Sequence, residues 1–209
     1  NTQIDAITLS MIDMDELGFE RIFAAYVWEN GFERTMVELI YPFLDKLNIL
    51  WLTNSISAAH EKFISNLIRR KLMSAIDREP MGSQDDSRTF VLYTPEGETQ
   101  ELTLLFMQYL LRTRGFKVIY LGANTSLTDI RDISHTLKPS YIFTILQEPL
   151  PRQSIQNYVD TASRSVNGSE LLLTGAQLFV NPVKLPGNAK VLSGLPDTLQ
   201  FLDSLPATH

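Results

Sequence analysis

No cysteine occurs in the 209 residues, so disulfides and thiolate metal sites are excluded, and a reducing compartment such as the cytoplasm fits. Histidine is nearly as scarce, with 3 residues and no pair at metal-ligand spacing. No apolar run reaches the roughly 18 to 20 residues that a membrane-crossing helix needs, and no signal-peptide pattern opens the chain. Basic residues are in deficit, 18 against 24 acidic, and the net charge of -6 sets the chain as a whole against a phosphate backbone. A glycine-rich phosphate loop and a nucleophile elbow are missing as well. Together these absences argue against a membrane protein, a secreted disulfide scaffold, direct DNA binding by this chain, and an enzyme.

What is present is enough apolar residue, 44%, for a sizeable core, arranged in two halves of different grammar. The seam is the polar stretch from Arg78 to Arg88, with Pro80 and Gly82, which divides the chain into a helical bundle over 1–79, a linker over 80–88 and an α/β domain over 89–209. In the first half apolar residues recur at helical spacing: Leu17, Ile22, Ala25 and Tyr26; then Met36, Leu39, Ile40, Phe43, Leu44 and Leu47; then Ile56, Ala59, Phe63, Leu67 and Ile68. Four helices are predicted, near 3–11, 15–29, 31–53 and 56–77. Asp13 or Asp15 and Ser55 are the expected N-caps, Gly31 the stop between the second and third helices, and Pro42 a kink in the third.

The second half alternates short β-rich runs with amphipathic segments, the pattern of a parallel sheet covered on both faces. Strands are predicted near 89–93, 117–121, 140–146, 170–174 and 189–192. Helices are predicted near 100–114, 126–136, 151–165, 177–183 and 196–204, with Gly115 closing the first of them. In open sheets of this class a ligand binds beyond the carboxyl ends of the strands, which would gather Pro95 to Gln100, Gly122 to Ser126, Thr144 to Glu148 and Thr174 to Gln177 around one crevice.

The loop after the first of these strands resembles the cobalamin-binding loop D-x-H-x-x-G, with Glu98, Gln100 and Thr103 at the aspartate, histidine and glycine places. Forty residues on, Thr144-Ile145-Leu146 resembles the S-x-L of that family, and after 28 more Gly175-Ala176 stands where it has Gly-Gly. The bundle half is similar to CarH/LitR-type regulators, MerR-family transcription factors that sense light through adenosylcobalamin. Their W-x9-E-H is matched by Trp51, nine residues, then Glu61-Lys62, and the text ISAAHEKFISNLIRRKL and the YLGAN at 120–124 are also similar. The resemblance runs from about residue 5 to about residue 205. It implies a four-helix bundle followed by a five-stranded Rossmann-like (flavodoxin-like) domain of the cobalamin-binding type. It also implies that Thr144, Leu146, Gly175 and Ala176 line the channel for a cobalamin tail, while Trp51 and Glu61 cap the adenosyl group.

Four departures fall on the chemistry. Gln100 replaces the histidine that would ligate cobalt, and a carboxamide is a poorer donor than an imidazole. Lys62 replaces the capping histidine, Leu52 replaces a second histidine ligand used by some members, and Thr103 adds a side chain in place of glycine. The sequence therefore predicts no resident cofactor and no metal, or at most adenosylcobalamin held in a weak, altered mode.

Blander roles compete at several positions. Trp51 also suits a helical core, Glu61 and Lys62 a solvated charge pair, His60 an ordinary helical histidine and His135 a cation at a helix C-terminus. Arg69-Arg70-Lys71 reads as a solvated face or an interface, and Glu96, Glu98 and Glu101 as loop acids without a completing carboxylate motif.

The expected function is the sensory and oligomerisation region of a MerR-like regulator. Its partner would be a second copy of itself, most simply as a dimer, and it would meet DNA only through an N-terminal domain preceding Asn1. The alternatives are a corrinoid-carrier subunit of a methyltransferase system and a small-molecule sensor that has reused the emptied pocket, with Lys62 reading an anion.

Overall fold

A computed structural model describes residues 2–81 and 88–206, so most of the expected linker, residues 82–87, lies outside the described residues. Two compact units divide the chain, Asn1–Ala75 and Ile76–His209. The last turn of the long helix falls in the second unit, where Ile76 O accepts a 2.8 Å hydrogen bond from Arg112 Nη1.

The first unit contains α1 (Thr2–Ile12), α2 (Glu16–Asn30), α3 (Phe32–Thr35), a π-helical turn (Met36–Ile40), α4 (Tyr41–Leu52) and most of α5 (Ala58–Arg78). Asp15 caps α2 by accepting from Gly18 N–H at 2.9 Å, and Gly31, at φ 80°, ends it. The face that α2 buries is not the predicted Leu17 stripe, since Leu17 is exposed, but Phe19 and Phe23. Their rings stack at 5.7 Å, and Phe23 meets Phe32 edge-on at 6.0 Å, so the larger aromatic area takes the core.

The predicted single helix over 31–53 runs on with helical dihedrals at each junction, and its irregularity is a π turn ahead of Pro42, which has no N–H to donate. Just ahead of it, Tyr41 N–H reaches back five residues to Met36 O, and this wide turn places Pro42 at the start of α4. Met36, Leu39, Ile40, Phe43 and Leu47 are buried as predicted, joined by Ile7, Met11, Ile64, Leu67, Ile68 and Leu72.

Ser55 does not cap α5. Its N–H donates to Leu50 O and closes α4, while Ser57 O accepts from the N–H groups of His60 and Glu61. His60 returns the contact by accepting from Ser57 N–H through Nδ1 at 3.0 Å, which gives it a capping role. Of the basic run on α5, Arg70 pairs with Glu16 and Lys71 with Glu20, both on α2.

The second unit is an α/β sandwich with all-parallel strand order β2-β1-β3-β4-β5. Its strands are β1 (Thr89–Pro95), β2 (Lys117–Thr125), β3 (Tyr141–Ile145), β4 (Glu170–Thr174) and β5 (Ala189–Val191). The helices are α6 (Leu102–Thr113), α7 (Leu127–Leu137), α8 (Ile155–Ser165), the short α9 (Gln177–Val180) and α10 (Leu195–Ser204). The order reverses between β1 and β3, which sets the switch point at their carboxyl ends. Every residue of β1 is buried, as a central strand covered on both faces requires.

One face of the sheet packs Val91, Tyr93, Ile142 and Leu146 against Ile130 of α7 and Ile155, Tyr158 and Val159 of α8. On the other, Phe90 stacks on Tyr141 at 4.6 Å, and Tyr141 meets Phe201 of α10 at 5.8 Å. Gly115, at φ 81°, lets Phe116 N–H return to Leu111 O and end α6 as predicted. The helix predicted from 151 starts only at Ile155, where Ser154 accepts from Asn157 N–H at 3.1 Å.

Tyr93 and Tyr158 share a buried hydroxyl pair at 2.9 Å. Burial pushes the Tyr93 phenol up to about 12 from an ordinary 10.0, and burial likewise raises Tyr158. The folded state therefore keeps these protons to higher pH than the unfolded chain, and the stability they contribute is complete below pH 10 and lost as pH rises toward 12. The urea midpoint is expected to fall between about pH 10 and about pH 12, less steeply in Tyr93→Phe. An equal fall in both proteins would contradict the assignment.

Candidate ligand crevice

The loop following β1 bends back on itself. Glu98 N–H donates to Pro95 O at 3.0 Å, and Glu98 O accepts from Thr94 Oγ1 at 3.0 Å. This turn drives the Glu98 side chain inward until the residue is only 2% exposed. Its Oε1 accepts from Gln100 N–H at 3.1 Å, and its Oε2 accepts from the N–H groups of Gln147 and Glu148 at 3.1 and 2.8 Å. The carboxylate thus ties the β1 loop to the loop after β3.

The lacing continues in both directions. On one side Gly97 N–H donates to Asn124 Oδ1 at 3.0 Å, which joins the loop after β2. On the other, Ala176 N–H donates to Gln147 Oε1 at 3.2 Å and Gln177 N–H to Leu146 O at 3.0 Å, which joins the loop after β4. All four strand-end loops named from the sequence are connected by hydrogen bonds, with Glu98 between them.

Gly175 is required by this closeness. At φ 119° a Cβ there would lie 2.4 Å from Leu146 O and 2.5 Å from Leu146 C, so the β3 and β4 loops touch backbone to backbone. Of the predicted tail-channel positions, Leu146, Gly175 and Ala176 are therefore brought together, and all three take part in the contact between loops. Thr144 is fully buried beside the Tyr93 hydroxyl, yet its Oγ1 meets no partner at hydrogen-bonding geometry. Gln100 and Thr103 have exposed side chains, at the end of the β1 loop and in the first turn of α6.

In the first unit, Trp51 (46% exposed) and Leu52 (80%) stand at the end of α4, so Trp51 is not a core residue. Glu61, in the first turn of α5, and Lys62, just after it, are exposed.

The three loop glutamates part company. Glu98 turns inward, Glu101 accepts from Tyr120 Oη at 3.1 Å, and Glu96 lies on the rim of a cavity of about 610 Å³. Ser126, Leu127, Leu150, Arg152 and Tyr158 also line that cavity, beside the α7 N-terminus. Among the described residues no group of three or more His, Cys, Asp or Glu could hold a metal ion. No described helix is long and apolar enough to cross a membrane. Reasoning from sequence missed the Glu98 contacts, and its one available signal was that an acid stands at the aspartate place of the resembling loop.

No family model matches the chain. Its fold matches that of a monomethylamine corrinoid protein from Methanosarcina barkeri at a TM-score of 0.68, with 10% identity, covering 98% of this chain and 97% of that one. In sequence it is 25% identical over 127 residues to the HTH-type transcriptional repressor CarH of Myxococcus xanthus. The chain thus has a sequence similar to that of CarH and a fold of the cobalamin-binding type. The match to CarH covers 61% of this chain and 40% of the repressor, so the CarH-like region corresponds to less than half of that relative.

Replacing Gly175 by alanine in this CarH-like region is expected to lower stability by about 1–3 kcal/mol through strain and loss of the Leu146 contact. Alanine at neighbouring Gly187, where a Cβ meets nothing within 4 Å, serves as the control. Equal urea midpoints for the two variants would show that the β3 and β4 loops do not meet as described.

Proposed function

We propose that this chain is the sensory and self-association region of a CarH-like transcriptional regulator in which histidine-ligated cobalamin binding has been lost. The regulatory half of this reading is supported by the sequence likeness to CarH, a transcriptional repressor. The region itself is acidic, with a net charge of -6, so in this reading DNA contact falls to another domain.

The observation that carries the loss is the pairing of Gln100 with Glu98. The residue at the ligand place offers a carboxamide instead of an imidazole, and the acid two positions earlier is fully engaged by backbone donors at 2.8 to 3.1 Å. The side chain that Thr103 adds in place of glycine also does not fit a cobalamin tail. Leu52 and Lys62 also stand where members of the resembling family carry histidine. Regulation would then act on self-association through the bundle, answering a ligand other than histidine-ligated cobalamin.

A second reading, a corrinoid carrier, is favoured by the fold likeness to the monomethylamine corrinoid protein across nearly the whole chain. One experiment separates the two. Gel filtration with light scattering after incubation with adenosylcobalamin or hydroxocobalamin is expected to give a colourless homodimer whose mass does not change on illumination. A stoichiometric pigment would favour the carrier, and a strict monomer would remove the self-association role.

A further inference from the structure

Glutamate is almost never fully buried unless it is paired, because removing a carboxylate from water without compensation is costly. Glu98 is 2% exposed, and among the described residues no lysine, arginine or histidine forms an ion pair with it. Its charge is met by backbone instead. Two successive N–H groups, from Gln147 and Glu148, converge on a single oxygen, and Gln100 N–H meets the other. Consecutive backbone donors turned to one point make a concave anion site, and here it opens at the switch point of the sheet.

We propose that the Gln147–Glu148 backbone is an anion cradle specific for a carboxylate, and that Glu98 is its built-in occupant, tying the β1 loop to the β3 loop. The inference goes beyond the function proposed above and holds for a regulator and for a carrier alike. Both oxygens of Glu98 act as acceptors, which matches an ionised carboxylate and no neutral group of the same shape. The length of the arm also matters, since aspartate, one methylene shorter, cannot reach Gln147 and Glu148 from the same backbone. Gln147 in turn receives Ala176 N–H on its side chain and Gln177 Nε2 on its carbonyl at 3.4 Å, so its placement by Glu98 also sets the β4 loop.

The test uses chemical rescue. Glu98→Ala removes the atoms that acetate supplies, leaving the cradle unfilled. Thermal unfolding of the whole chain is followed for the parent, Glu98→Ala and Glu98→Asp, in sodium acetate and in sodium chloride at equal ionic strength. Both variants are expected to melt roughly 3–10 °C below the parent in chloride. Acetate should recover at least half of the loss in Glu98→Ala while leaving the parent unchanged. If Glu98→Ala folds only when refolded in acetate, the proposal is supported in the same way. Rescue by chloride equal to that by acetate, a Glu98→Ala protein that stays unfolded in acetate, or a Glu98→Asp protein that melts with the parent would each overturn it. Pigment retention by the parent chain bears on the proposed function alone and leaves this result untouched.

Discussion

A carboxylate leaves water only where each of its oxygens finds donors, and at the carboxyl edge of this sheet that requirement falls on Glu98. Its three backbone partners come from two loops that are close in space only because β1 and β3 are neighbours in the strand order. Satisfying the acid therefore fixes the β3 loop against the β1 loop, and the remaining contacts follow outward. Gln147 holds the β4 loop, Gly175 must stay without a side chain, and Asn124 carries the tie to β2.

Fold and ligand chemistry are separate questions in this protein. The five-stranded parallel sheet is that of a cobalamin-binding-type fold, while the loop after β1 carries the carboxamide of Gln100. Fold and ligand set are separable because the fold is held by Phe90, Tyr141, Tyr93 and their neighbours in the two faces of the core, none of which depends on Gln100.

Much of this was legible in the sequence, and the parts that were not have definite causes. The five strands announce themselves as short β-rich runs between amphipathic helices, and Gly31, Asp15 and Gly115 mark helix ends by local chemistry alone. The π turn before Pro42 is where reading failed, because a proline in a helical pattern predicts a kink but not which turn widens to absorb it. The cap at Ser57 was hidden because its reciprocal partner is His60 instead of the usual glutamate or glutamine. At the site, the missing imidazole at Gln100 needed no structure. The role of Glu98 did, since its partners lie 49 and 50 residues away and are backbone N–H groups, which every residue but proline offers and no sequence pattern marks.

One buried carboxylate thus holds the strand-end loops in a single arrangement. Native-state hydrogen exchange of the unmodified protein reads it most directly, residue by residue, at the amides of Gln100, Gln147 and Glu148. The account predicts that these three exchange slowly, with protection comparable to that of β3 itself and lost in the same cooperative opening. Exchange at the rate of open loops while β3 stays protected would contradict it.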